Sequence, residues 1–288
     1  MEINYNSAAE IRAFLEKEGL GMRKKFGQNF LLNADIRARL TDALEAEAGA
    51  SVWEIGPGLG AMTKLLLDKG LAVWAFEIDP GFSRILRCFF AECPGFTLIE
   101  GDVMKTWPQQ PASPLLLGNL PYNIAAVLMG DMIEKGRLFR RMVVTVQYEV
   151  AQRMIAKPGS ADYSSFSILC ASAYSIKKLT AIKGGAFYPR PNVDSMGLML
   201  DIRPGHENYP RVLYPLVRRL FLSRRKMIKN NLSNFLISGM KNQQKPADIL
   251  AADILSENGL SGNERAENLD IEAFVKLAKT IEAMRILE

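Results

Sequence analysis

Apolar residues recur along the chain at two spacings, and the spacing changes twice. Residues 7–20 have the three-and-four spacing of an amphipathic helix, with Ile11, Phe14 and Leu15 on one face. A basic, glycine-containing loop from Met22 to Leu32 precedes a second helix over roughly 34–48. From residue 51, short apolar runs alternate with helical stretches. The runs Ser51–Ile55, Leu71–Ile78, Phe96–Glu100, Leu115–Gly118 and Arg141–Gln147 predict strands. Helices are predicted over 62–69, 81–91, 125–134 and 148–156. Such alternation implies parallel strands joined by crossover helices, hence an α/β, doubly wound sheet. Two later runs, Ser165–Ala173 and Met196–Ile202, are candidates for completing it. Beyond Pro204-Gly205 the pattern is helical, most clearly over 248–257 and 271–286. The expected organisation is a sheet-forming domain over 1–205 and a smaller all-helical domain over 206–288.

Composition narrows the function classes. At 288 residues and 48% hydrophobic, the chain has ample apolar material for a core. No run approaches the ~18 uncharged apolar residues of a membrane span. The first twenty residues carry acids throughout and lack a basic-then-apolar signal pattern, so a cytoplasmic location is expected. Three cysteines, Cys88, Cys93 and Cys170, are too few and too irregular for a disulfide framework. With His206 the only histidine and no Cys-x-x-Cys, no metal is expected, and a Ser-His-Asp triad would have to recruit that one residue. The net charge of +5 is too small, as a total, to name a partner.

Candidate chemistry gathers at the predicted strand ends. Glu54-Ile55-Gly56-Pro57-Gly58-Leu59-Gly60 follows a strand and precedes a helix. Glycines there allow a sharp turn and close backbone approach to a ligand; the competing reading is a plain tight connection. The second strand ends at Glu77, 17 residues beyond Gly60, where an acid can accept hydrogen bonds from both ribose hydroxyls of an adenosine. Nicotinamide dehydrogenases and S-adenosylmethionine methyltransferases both use that pairing. The third strand ends in Glu100-Gly101-Asp102, which places Asp102 either over an adenine ring or in an Asx-turn. The fourth ends in Asn119-Leu120-Pro121-Tyr122. Pro121 fixes the turn. The Asn119 side-chain oxygen and a backbone carbonyl, that of Pro121, then become acceptors for an aromatic amine. Tyr122 becomes a stacking surface for an unpaired base. The alternative is an Asx-Pro turn with Tyr122 in the core.

Together these motifs resemble the ribosomal RNA adenine dimethyltransferase family, in its small-subunit branch. Gly27-Gln28-Asn29-Phe30-Leu31 is similar to the family's amino-terminal motif, and the resemblance implies that Asn29 and Leu31 contact the methionine part of S-adenosylmethionine. By the same resemblance Gly56 and Gly58 belong to the cofactor loop, and Glu77, Asp102 and Asn119 to the cofactor contacts. Asn119, Pro121 and Tyr122 match the catalytic tetrad. Val146–Arg153 resembles the helix start after the fifth strand, and Phe187–Ser195 the late motif, implying that Phe187 stacks on the target base opposite Tyr122. Leu220–Lys226 resembles the opening of the carboxyl-terminal domain. Two positions depart from the family, Asn33 where it usually has Asp and Tyr148 where it usually has Lys. The implied activity is dimethylation of two adjacent adenosines in a hairpin near the 3′ end of small-subunit rRNA, within an assembling subunit. A monomer is expected.

The charge then acquires a place. Arg218, Arg219, Arg224, Arg225, Lys226 and Lys229 fall in one stretch with no acid, and Arg23-Lys24-Lys25 precede the amino-terminal motif. Both clusters are candidate phosphate contacts to a folded RNA, against the plainer reading of solvated faces. The rival functions are a nicotinamide dehydrogenase, a large-subunit rRNA methyltransferase of the antibiotic-resistance type, and a non-catalytic assembly factor.

Overall fold

In a computed structural model, residues 3–22, 27–239 and 245–284 are described. The strands are β1 (Phe30–Leu31), β2 (Ser51–Ile55), β3 (Ala72–Glu77), β4 (Phe96–Glu100), β5 (Leu115–Asn119), β6 (Arg141–Gln147), β7 (Tyr174–Ile182), β8 (Phe187–Tyr188) and β9 (Ser195–Ile202). The helices of the first part are α1 (Ala8–Lys17), α2 (Ala34–Asp42), α3 (Ala61–Asp68), α4 (Pro80–Phe89), α5 (Val103–Thr106), α6 (Ala125–Glu134) and α7 (Tyr148–Met154). Those of the second are α8 (Ser165–Ala173), α9 (Leu213–Phe221), α10 (Ile228–Gly239), α11 (Ala247–Glu257) and α12 (Ile271–Ala283).

Seven strands form one sheet in the order β4-β3-β2-β5-β6-β9-β7. Strands β2 to β6 are parallel to one another, and β9 runs antiparallel to β6. Val52, Leu115, Leu117 and Val143 are completely or almost completely buried, as expected where helices cover both faces of a parallel sheet. The order reverses beside β2, and all four ligand-type motifs lie at the carboxyl ends of β2, β3, β4 and β5. Open α/β sheets bind ligands at such a point.

The turn after β2 depends on its glycines. Gly56, Gly58 and Gly60 have φ of 71°, 60° and 87°, a region costly for any side chain. At Gly60 a Cβ would also lie 2.6 Å from the buried Phe90 ring. Gly60→Ala is therefore expected to destabilise the protein by about 2–5 kcal/mol, from left-handed strain of ~1–2 and overpacking of ~1–3. Urea unfolding measures this; a change below about 0.5 kcal/mol would show that the turn tolerates a side chain.

Two expectations change here. Ser165–Ala173 is not a strand but α8, started by a capping box between Ser164 and Ser167. A short continuous apolar run fits a buried helix as well as a buried strand. The seventh strand is instead β7, whose exposed Lys177 and Lys178 disguise it and suit an edge position.

The chain divides into two compact units, residues 1–151 with 175–202, and residues 152–174 with 203–288. The second is thus made of two stretches, and residues 152–174 lie outside the sheet-bearing unit in which the expected 1–205 domain placed them. Its core joins Tyr163 and Ile168 to Leu216, Leu220, Leu232, Ile254, Phe274 and Leu277. Among the described residues no helix is long and apolar enough to cross a membrane.

Candidate active site

One cavity collects the ends of four strands. It is lined by Ile55–Leu59, Phe76–Ile78, Gly101–Val103 and Asn119, Pro121 and Ile124, and by Gly27–Leu31 with Tyr5, Ile11 and Arg37. Asn29, Leu31, Gly56, Gly58, Glu77, Asp102 and Asn119, predicted from scattered parts of the sequence, all line it.

Hydrogen bonds set their geometry. Glu77, at the end of β3, accepts from the Asp79 amide at 2.8 Å and the Gly58 amide at 3.2 Å. Burial nevertheless pushes its carboxyl up to about 7, against the lowering effect of those amides. Such a group gains when hydroxyl donors arrive. Asp102 caps α5 by accepting from the Met104 amide at 3.0 Å and also lines the cavity. Glu54 is wholly buried and also pushed up to about 7 by burial. One oxygen accepts from the Thr63 hydroxyl at 2.7 Å, and its Oε1 has no hydrogen-bond partner.

The tetrad is tied to the amino-terminal motif. The Asn119 amide Nδ2 donates to the Asn29 carbonyl at 2.8 Å, which leaves its Oδ1 as an acceptor. Leu120 N–H donates to the Thr145 carbonyl of β6 at 3.0 Å, and the Leu120 side chain packs over Gly118. The Tyr122 phenol lies 2.7 Å from the Ser195 hydroxyl, and burial raises its pKa. Arg37, almost fully buried, donates to the carbonyl of Leu31 at 2.6 Å, to that of Tyr5 at 3.4 Å and to Asn6 Oδ1 at 2.6 Å. Tyr5 in turn donates to the Leu59 carbonyl at 3.0 Å. The segment before α1 is thereby held against the glycine loop.

The model of the ribosomal RNA adenine dimethylase family matches residues 19–282. The ribosomal RNA small subunit methyltransferase A of Treponema denticola is 43% identical over 286 residues, 96% of each chain. This chain belongs to the ribosomal RNA adenine dimethylase family. Among solved structures, a dimethyladenosine transferase from Plasmodium falciparum is similar with a TM-score of 0.79 and 26% identity, over 88% of this chain and 98% of that one. A 23S rRNA methyltransferase, ErmE, shares the fold at a TM-score of 0.63 and 21% identity, over 88% of this chain and 99% of that one.

For a dimethylase, two of the expected catalytic contacts need correction. The Pro121 carbonyl accepts from the amides of Ile124 and Ala125, both at 3.1 Å, so the start of α6 uses its lone pairs. Phe187 is 3% exposed and packs in the core with Leu31 and Leu40. It is buried because β8 pairs antiparallel with β1, Phe187 opposite Leu31 and Tyr188 opposite Phe30. Alternation along that short strand drives Phe187 inward. Its role here is to anchor the strand that presents Asn29 and Leu31.

The basic residues divide. Arg23, Lys24 and Lys25 lie outside the described residues. Arg224 is held within the second unit, by Glu267 at 3.0 Å and the Ala161 carbonyl at 3.3 Å. Arg218, Arg225, Lys226 and Lys229 are exposed and Arg219 is half-buried. Asn33 keeps a capping role, accepting from the Ile36 amide at 2.9 Å. Ser195 and Arg37 have no predicted role. Ser195 was visible as the last residue of the late motif, but its partner lies 73 positions away. For Arg37 the only available signal was a cation on the apolar side of a predicted helix.

Proposed function

We propose that this chain transfers methyl groups from S-adenosylmethionine to the exocyclic amines of two adjacent adenosines in a hairpin near the 3′ end of small-subunit rRNA, in the cytoplasm, during subunit assembly. The observation that carries the reading is a single cavity holding Glu77, Asp102 and the glycine loop beside the free Oδ1 of Asn119. The site fits the cofactor, since Glu77 can take the ribose hydroxyls, Asp102 the adenine amine, and Asn29, Leu31 and Gly56 the methionine end. When bound, it supplies an electrophilic methyl group on a sulfonium. An adenine amine is a poor nucleophile because its lone pair is delocalised into the ring. Asn119 Oδ1 accepts a hydrogen bond from one of its N–H groups, and the Leu120 carbonyl, the acceptor left in the turn once Pro121 is engaged, accepts one from the other. Both draw the nitrogen toward tetrahedral geometry. Tyr122 supports the displaced base, its phenol steadied by Ser195. The product nitrogen becomes acidic as the bond forms, so no strong base is needed. The name of the Treponema relative favours the small-subunit substrate over a large-subunit one. Under-methylated small subunits incubated with labelled S-adenosylmethionine should yield dimethyladenosine; label appearing only in large-subunit rRNA would overturn the assignment.

Exposed cations of the second unit are the proposed phosphate contacts. Changing both Arg225 and Lys226 to Ala should lower the slope of log affinity against log salt by about 1–2, while cofactor affinity stays unchanged. Filter binding across a salt series measures the slope, and an unaltered slope would remove these residues from the interface.

A further inference from the structure

Among the described residues, Tyr148 is the one aromatic side chain that is exposed, at 44%. A single exposed side chain is ordinary on a protein surface; what sets Tyr148 apart is its place beside the Asn119–Tyr122 turn. Its position is fixed. It begins α7 directly after β6, the strand beside β5, whose last residue is Asn119. Its amide donates to the Asp194 carbonyl at 3.0 Å. Asp194 is itself pinned by Lys183 at 2.7 Å and by the Gly184 amide at 3.1 Å. The preceding residue, Gln147, pairs across the ladder with Ser195, whose hydroxyl lies 2.7 Å from the Tyr122 phenol. Tyr148 therefore stands one step along the backbone from the support of the tetrad. Val193, 43% exposed, and the exposed cations Lys183 and Arg190 belong to the same loop system.

We infer that Tyr148 stacks on an unpaired base flanking the target adenosine and so helps set which nucleotide enters the site. The inference rests on the rRNA reading above and deepens it. An adenosine drawn out of a hairpin leaves its chain neighbours unstacked, and an exposed aromatic offers them a replacement face. Arg190, exposed in the same loop, supplies a cation for the adjoining phosphate, while Lys183 is engaged in holding Asp194. Stacking needs the ring but not the hydroxyl, which gives the test its controls.

The experiment uses the full chain with under-methylated small subunits whose rRNA carries 2-aminopurine at each flanking position in turn. Tyr148→Ala should raise KM for RNA about tenfold, the order of one lost base stack, with kcat and cofactor affinity little changed. It should also remove fluorescence quenching at one flanking position. Tyr148→Phe should retain both properties, and Tyr148→Leu, apolar but not aromatic, should retain neither. Unchanged KM and quenching in Tyr148→Ala, or full retention in Tyr148→Leu, would overturn the inference. Failure of the wild-type protein to methylate the RNA at all would instead strike the rRNA reading itself.

Discussion

Replacing Asn119 with Ala should lower single-turnover methyl transfer by at least ~100-fold, the range seen when one preorganised polar group is removed from a transition state. The argument rests on how the side chain is shared. Its Nδ2 is committed to the Asn29 carbonyl, so the amide is oriented before any substrate arrives. Its Oδ1 is then the acceptor that pulls a conjugated amine out of plane. Alanine removes that acceptor and frees the Asn29 carbonyl, which water entering the cavity can rehydrate. Cofactor affinity should therefore fall by less than about tenfold, and the thermal midpoint should hardly move. Asn119→Asp separates the two tasks. A carboxylate keeps an acceptor but faces the Asn29 carbonyl without a proton between them, so cofactor affinity should fall further than in the alanine variant. Calorimetry with the demethylated cofactor and rapid-quench transfer measure the two quantities. Retention of more than a tenth of the wild-type rate by Asn119→Ala would refute the role.

The sheet and the residues that line the cavity at its strand ends could be read from sequence for one physical reason. Central parallel strands are buried on both faces, so β2, β3, β5 and β6 appear as apolar runs, and a polar residue at their ends has a limited set of uses. Glu77, Asp102 and Asn119 stand out for that reason. The features that stayed hidden depend on long-range pairing. Phe187 appears exposed in a proline-flanked loop, yet pairing of β8 with β1 buries it. The Pro121 carbonyl seems free until α6 claims it. Arg224 sits in a run of cations and is distinguished from Arg225 by Glu267, 43 residues away, and by the Ala161 carbonyl. Ser165–Ala173 carries an apolar run that helix and strand share, and only its capping box settles the matter.

Cofactor affinity should tighten about tenfold between pH 6 and pH 8, with proton release on binding at the lower pH. Glu77 is the source. Its carboxyl, near 4.5 in an unfolded chain, stands at about 7 in the free protein because burial disfavours the charge. Asp79 raises it further, while the Asp79 and Gly58 amides pull it down. A raised acid stabilises the fold fully below about 4.5 and loses that contribution as pH climbs through 7. The free protein should therefore be less stable at pH 8 than at pH 5, by on the order of 3 kcal/mol from this group. Two ribose hydroxyls donating to the carboxylate reverse the preference and drive its pKa back down. Linkage then requires close to one proton to leave per cofactor bound near pH 6, and almost none at pH 8. Titration calorimetry in two buffers of different ionisation enthalpy counts those protons. Glu54 also stands at about 7 and is electrostatically coupled to Glu77, so it is the necessary control. Glu54→Gln should keep the pH dependence. Glu77→Gln should abolish it and weaken binding at pH 8 by about 100-fold, the order expected for losing two charge-assisted hydrogen bonds. A dissociation constant that is flat from pH 6 to pH 8, with no proton release, would remove Glu77 as the ribose ligand.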